Sequence, residues 1–476
     1  MRINHNSLAL NASDHFATIN KNIAKSMERL SSGYKITSPA DDAAGLAISV
    51  KMSSQIRGLD RASLNSNDGI SVIQSAEGGM NEMHSILTRM RELAVQAAND
   101  VNSEEDRDAI QEEINSLIEE LDQIAETTTF NEQELLNGDL TRRTLSSDYN
   151  VQTTYVSEEV NEGVYELEIT AMATQATITT GLSYSGATVT EEQAGTICVN
   201  GFLVEIDAGM SMTEVFSKLQ THLAKIDVDV FASADGGDTT ADFTSGAAVM
   251  FRNQRYGSDE KLEINVSNDE LAALLGVTDG QKVYGTDSKA SLTVTEEGFS
   301  ASATVEAKGN DLIITDRNGF EMRVEADSDT LDKGTGAVEI EVFSAGVMII
   351  QSGAYSGDEV HIDIPKMNAK SLGVDDLIMY TQDYAAKAIE AIDAAVKMVS
   401  DIRSKMGAYE NRLDDVYSNL EVQVESITAA YSRMIDTDMA EEMTNYTQQD
   451  VLAQAAISMM QKSNERPASI LQLLQN

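Results

Sequence analysis

The chain is expected to fold as a mixed protein. Its paired N- and C-terminal regions should form a long α-helical coiled-coil bundle, with a strand-rich α+β insert between them. Three observations carry this expectation. Ile73, Ala76, Met80, Met83, Leu87, Met90, Ala94 and Ala97 step by threes and fours without a miss. That is the heptad seam of a helix burying one narrow stripe against other helices. A second seam runs from Ala385 through Ile392, Val399, Met406, Leu413, Leu420 and Ile427 to Met434. Between the two, from about 141 to 344, Thr, Val, Gly and Asp dominate, and runs such as Val164–Ile169 alternate as strands do.

The totals fit this layout and exclude several classes of function. With 476 residues, 5% aromatics, no Trp and 21 Met, long helices packed through Ala, Leu, Ile and Met are a better match than a bulky enzyme core. A formal charge of −44 leaves no basic patch to replace phosphate counterions, so neither nucleic acid nor an anionic membrane surface is expected as partner. No apolar run approaches the roughly 18 residues needed to span a bilayer. Cys198 is the sole cysteine. It allows no intrachain disulfide and, within an apolar hairpin, is expected to be a buried small hydrophobe. The N-terminal stretch lacks the apolar core and cleavage site of a secretory signal peptide. His5, His15, His84, His222 and His361 never form the helical pair of a zinc protease, and neither a phosphate loop nor a nucleophile elbow occurs. No catalytic residue, metal or cofactor is therefore expected.

Taken in order, residues 7–31 carry Phe16, Ile19, Ile23 and Leu30 on one stripe and stop at Gly33. Ser38-Pro39-Ala40-Asp41 reads as the next helix start, with Ser38 as cap and Pro39 in the first turn. That helix presents Ile48, Met52, Ile56 and Leu59 and runs into the first seam, crossing Gly69, Gly78 and Gly79, which mark a bend or a close approach or are simply tolerated singly. Ser103-Glu104-Glu105-Asp106 is a capping box for a helix through Ile110, Ile114, Leu117, Leu121 and Ile124. In the insert, Ile197–Val204 reads as a hairpin with an Asn-Gly turn. Met212–Ile226 is an amphipathic helix, and Leu262–Val266 and Leu312–Thr315 are strands. Pro365 ends a strand at 360–364 before the second seam. Asp438 caps a last helix carrying Leu452 and Met459, which Pro467 is expected to interrupt before Ile470, Leu471, Leu473 and Leu474.

The layout is close to a palindrome. The terminal segments, 1–40 with 440–476, have narrow apolar stripes and little of their own chain to pack on. They are expected to order when neighbouring copies supply the missing faces. Residues 41–140 with 345–439 form the core bundle, and 141–344 the surface-exposed insert. Phe16, Ile19, Ile23, Leu30, Leu452, Met459, Leu471 and Leu474 are the assembly candidates.

Both ends resemble the bacterial flagellins. The stretch from Ser31-Ser32-Gly33-Tyr34-Lys35 through Ser38-Pro39-Ala40-Asp41-Asp42 to Gly45-Leu46-Ala47-Ile48 matches that family's N-terminal pattern almost throughout. Thr88–Asn99 is similar to its core helix, and Phe130-Asn131 and Leu135-Leu136-Asn137-Gly138 follow in place. Ile435–Glu441, Gln454-Ala455, Pro467 and Leu473-Leu474-Gln475 match at the C-terminus. The chain departs from the family at Ser352 and Tyr355. The resemblance implies a structural subunit that polymerises into a helical homopolymer, the flagellar filament. It implies export through the flagellar type III apparatus to the extracellular flagellum without a cleaved signal peptide. The partners implied are an export chaperone holding the C-terminal segment, hook-associated and cap proteins, and host Toll-like receptor 5. Arg89, Leu93 and Glu113 are the receptor-contact positions by this resemblance. A hook–filament junction protein or a surface adhesin on the same bundle is the alternative.

Overall fold

The computed structural model describes residues 6–475 apart from 158, 181–187, 234–239, 242–247, 296–297, 327–335 and 344. Helices dominate both ends and strands the middle, the mixed architecture the sequence predicts. The helices are α1 (Ser7–Ser32), α2 (Ala43–Ala97), α3 (Glu104–Thr127), α4 (Met212–Leu223), α5 (Asp269–Leu275), α6 (Ala369–Leu372), α7 (Gln382–Ile435) and α8 (Met439–Gln475). Packing divides the chain into two compact units.

The first unit holds residues 1–69, 351–360 and 412–476. Here α1 and α8 pack against one another. Arg29 reaches Glu442 at 3.5 Å and the Asn6 amide donates to the Ser463 carbonyl at 3.0 Å. Gly33, at φ +75°, ends α1 as the sequence predicts. The two connectors are joined by backbone bonds, Lys35 N–H to Ile435 O at 2.6 Å and Thr437 N–H to Gly33 O at 2.9 Å. Leu59 and Ala62 of α2 meet Leu420 of α7 in a small core, with Val416, Val424 and Ile427 partly buried around it. The segment 351–358 folds on itself: the Gln351 amide donates to the carbonyls of Gly353, Tyr355 and Asp358.

Two expectations are corrected in this unit. The second helix does not start at Ser38-Pro39. Residues 38–41 form a turn, and α2 begins at Ala43. The Asp41 carboxylate is consumed inside the connector. It pairs with Lys25 at 2.6 Å and accepts from the backbone and hydroxyl groups of Thr37 and Ser38. Asp42 caps instead, accepting from the N–H groups of Ala44 (3.0 Å) and Gly45 (2.9 Å). At the other end Pro467 does not break the last helix, because α8 continues to Gln475. A proline removes only one helical donor, and Glu465, Arg466 and Ala468 on either side are good helix formers.

The second unit holds residues 70–350 and 361–411. All eight seam residues from Ile73 to Ala97 are fully buried. Gly79 is a close approach, since a Cβ there would lie 2.6 Å from Thr128 Oγ1 and 3.0 Å from Leu136 Cδ1. Gly78 faces open space. The Ser103–Asp106 capping box forms in both directions and opens α3.

Among the described residues the insert builds four four-stranded antiparallel sheets. One contains the predicted hairpin, Gly195–Val199 with Phe202–Ile206, turning at Asn200 (φ +49°) and Gly201 (φ +84°). Lys261–Val266 pairs with its first strand. The predicted amphipathic helix is α4, finished by a 3₁₀ turn over Ala224–Ile226. Two apolar cores result. One lies around Phe216, Phe251 and Ile264, and the other around Phe299, Ile314 and Ile340. Charged groups tie the first core to the helices. Lys225 meets Asp108 at 2.9 Å, Arg255 bridges Asp227 (2.9 Å) and Asp376 (3.1 Å), and Lys261 reaches Asp383 at 2.8 Å. The Asn200 amide donates to the Tyr384 hydroxyl at 3.0 Å, whose pKa burial pushes up to about 12.

Cys198 departs from expectation. The alternation of its strand turns it away from buried Ile197 and Val199, so it is only partly buried. Desolvation still pushes its thiol pKa up.

Candidate assembly and recognition surfaces

The functional surfaces follow from which apolar residues the fold leaves uncovered. In the first unit α1 has one packed side, where Phe16, Ile19, Ile23 and Leu30 are half-buried. Leu8, Leu10 and Met27 of the same helix remain exposed, Leu10 at 68%. On α8 the buried positions are small or polar, chiefly Glu442 and Ala453. The large side chains Met443, Val451, Leu452, Ile457 and Met459 face outward, Met459 at 69%. The sequence-predicted candidates therefore separate. Phe16, Ile19, Ile23 and Leu30 line the packed side of α1, whereas Leu452 and Met459 stay exposed on α8. The side chains of Leu471 and Leu474 lie outside the described residues.

The seam of α7 shows the same loss of cover. Leu413 and Leu420 are buried, but Val424, Ile427, Tyr431 and Met434 are only partly so. On α2, Ile48 and Val50 are exposed. The buried line there is Gly45, Ser49, Leu59, Ala62 and Ser66. Sequence reasoning found only Leu59 of it, because the other residues are too small or polar to register as a hydrophobic stripe. Met443 belongs to the stripe periodicity gives the last helix, whereas the exposed Val451 and Ile457 were signalled only by being apolar and off the packed positions.

On the flank of the seam in the second unit, Arg89 makes a cross-helix fork. Its Nε and Nη2 donate to Glu113 Oε1 of α3 at 3.0 and 2.7 Å, and Nη1 donates to Glu92 at 3.2 Å. Glu113, then Glu92, hold the guanidinium pKa above its usual value. Both ends of the Arg89–Glu113 pair are about half exposed. Leu93 is only 2% exposed. The surface at this point is the ion pair, and Leu93, one turn along the same helix, is buried and not a free contact.

Among the described residues, no helix is long and apolar enough to cross a membrane. The geometry shows long terminal helices with large apolar side chains left exposed, and a sheet-rich insert. Comparison with known proteins agrees. Residues 3–141 match the family model of the bacterial flagellin N-terminal helical region and residues 389–474 that of the C-terminal helical region. A flagellin of Clostridium tyrobutyricum is 33% identical over 98% of this chain and 100% of its own length. Polar flagellin A of Vibrio parahaemolyticus is 32% identical, covering 100% of this chain and 99% of its own. The chain belongs to the bacterial flagellin family, the filament subunits of the flagellum.

Proposed function

We propose that this chain polymerises through the uncovered apolar rows of its terminal helices, with residues 1–40 and 440–476 ordering fully only when neighbouring copies cover them. The observation that carries the reading is the concentration of large exposed apolar side chains on α8 and α1. Monomeric proteins rarely leave such rows open unless another chain covers them. In this reading 41–140 with 345–439 form the shaft and 141–344 faces solvent. The protein leaves the cell through the flagellar export apparatus without signal-peptide cleavage. An export chaperone holds the C-terminal segment beforehand, for which the open row on α8 is the chemically suitable surface. Hook-associated and cap proteins meet it in the flagellum.

For the free monomer, Toll-like receptor 5 contact falls on Arg89 and Glu113, with Leu93 buried one turn further along the helix. The half-exposed pair is the support for this reading. Two experiments test these proposals. Deletion of 1–35 or of 440–476 should leave a soluble chain that does not elongate filament seeds, and elongation by either form overturns the assembly reading. Arg89→Ala monomer should lose receptor activation in a reporter cell while its circular dichroism is unchanged. Full activation overturns the receptor assignment.

A further inference from the structure

A cavity of about 310 Å³ opens in the second unit, where the strands Arg143–Ser146 and Val151–Val156 meet Pro365 and Lys366. Its wall is unlike the rest of the molecule. In a chain with 78 acidic and 34 basic residues, Arg142, Arg143 and Lys366 converge here, and Asp139 is the one acid among the lining residues. Thr141, Thr144, Thr153 and Thr154 add hydroxyls.

Two donors in this wall lack acceptors. Arg142 Nη1 and Thr141 Oγ1 are buried and hydrogen-bond nothing among the described residues. Both atoms are sealed from solvent, so the contacts open to a ligand are the other polar groups of the wall. Arg143 lies 4.0 Å from Asp139, at the limit of an ion pair, with both side chains mostly exposed. Asp139 is itself held by Asn137, whose amide donates to the carboxylate at 2.8 Å and whose oxygen accepts the Asp139 N–H at 2.8 Å. The stem of Lys366 lies over Gly138, where a Cβ would come within 2.9 Å of Lys366 Cβ. Glycine at φ +96° thus leaves Lys366 its place on the wall.

We propose that this cavity binds a small ligand carrying an oxyanion (carboxylate, sulfate or phosphate) on a hydroxyl-rich body the size of one sugar ring. Arg142, Arg143 and Lys366 take the anion, as guanidinium and ammonium groups do, and the threonine hydroxyls bond the body. Asp139 is a competing internal anion. The volume is at the lower end of ligand pockets, which suits one ring and no more.

Calorimetric titration of the full-length monomer at low ionic strength tests this, with glucose 6-phosphate, glucose and inorganic phosphate as probes. Glucose 6-phosphate should bind, phosphate about tenfold more weakly, and glucose not measurably. Lys366→Gln and Arg142→Gln should each weaken binding about tenfold, and Asp139→Asn should tighten it by a few-fold. Lys366 and Asp139 are exposed, so their variants keep the test intact if Arg142→Gln fails to fold. Absence of binding by both phosphate probes overturns the proposal. So does affinity unchanged in Lys366→Gln and Asp139→Asn, and equal affinity for phosphate and glucose 6-phosphate overturns the sugar-sized body.

Discussion

Arg89 and Leu93 sit one helical turn apart and do different work. Removing the exposed Arg89–Glu113 pair by Glu113→Gln should change stability by less than about 1 kcal/mol, because solvent screens both charges. Leu93→Ala should cost about 2–5 kcal/mol through the cavity it leaves. Urea denaturation of the monomer separates the two, and a large loss in Glu113→Gln would contradict this division. The resemblance named all three positions, but no sequence period could say that Leu93 is covered, because its neighbours come from other parts of the chain. Cys198 shows the same limit. Its hairpin was legible from Asn200-Gly201, but which face of the strand is covered depends on the second sheet layer. With the thiol pKa raised by burial, maleimide should label Cys198 more slowly at neutral pH than a free thiol.

Seams were the most legible elements, since all eight seam residues from Ile73 to Ala97 are buried where periodicity put them. The start of α2 was not legible, because Gly45, Ser49 and Ser66 keep the period with side chains that carry no hydrophobic signal. The cap at Ser38 was misplaced because Asp41 is taken by Lys25, a partner outside the local window. Gly78 and Gly79 make these differences measurable. Gly78→Ala, facing open space, should stabilise the helix by up to about 1 kcal/mol. Gly79→Ala should destabilise it, because the new methyl meets Thr128 and Leu136. Thermal unfolding of the two variants checks this, and equal shifts would refute the close approach. The connector has a pH dependence of definite sign. The ion pair with Lys25, and then the Thr37 and Ser38 hydrogen bonds, hold Asp41 well below the usual carboxylate range. The stability they give is therefore present above the ordinary carboxylate pKa and is lost as pH falls through the lowered one. Amide exchange in residues 33–42 should accelerate as pH drops toward 2 relative to the intrinsic rate, and Asp41→Asn should abolish that dependence.

Over the whole molecule, charge and apolar rows oppose one another. Copies carrying −44 each repel, so elongation should be faster at moderate than at low salt, where screening is weaker. Rates independent of salt would count against that balance. The palindromic plan of helical ends around a strand-rich insert was readable from periodicity and composition. The four sheets of the insert were not, because their pairings join segments far apart in sequence, as Gly163–Ala171 joins Gly336–Phe343. The open row on α8 likewise emerged only once the fold had used the other side of that helix. The most direct test is seeded elongation by the double variant Leu452→Gln/Met459→Gln. Both residues are exposed in the single chain, so monomer stability should stay within about 0.5 kcal/mol while elongation is lost. Elongation at the unsubstituted rate would contradict assembly through this row.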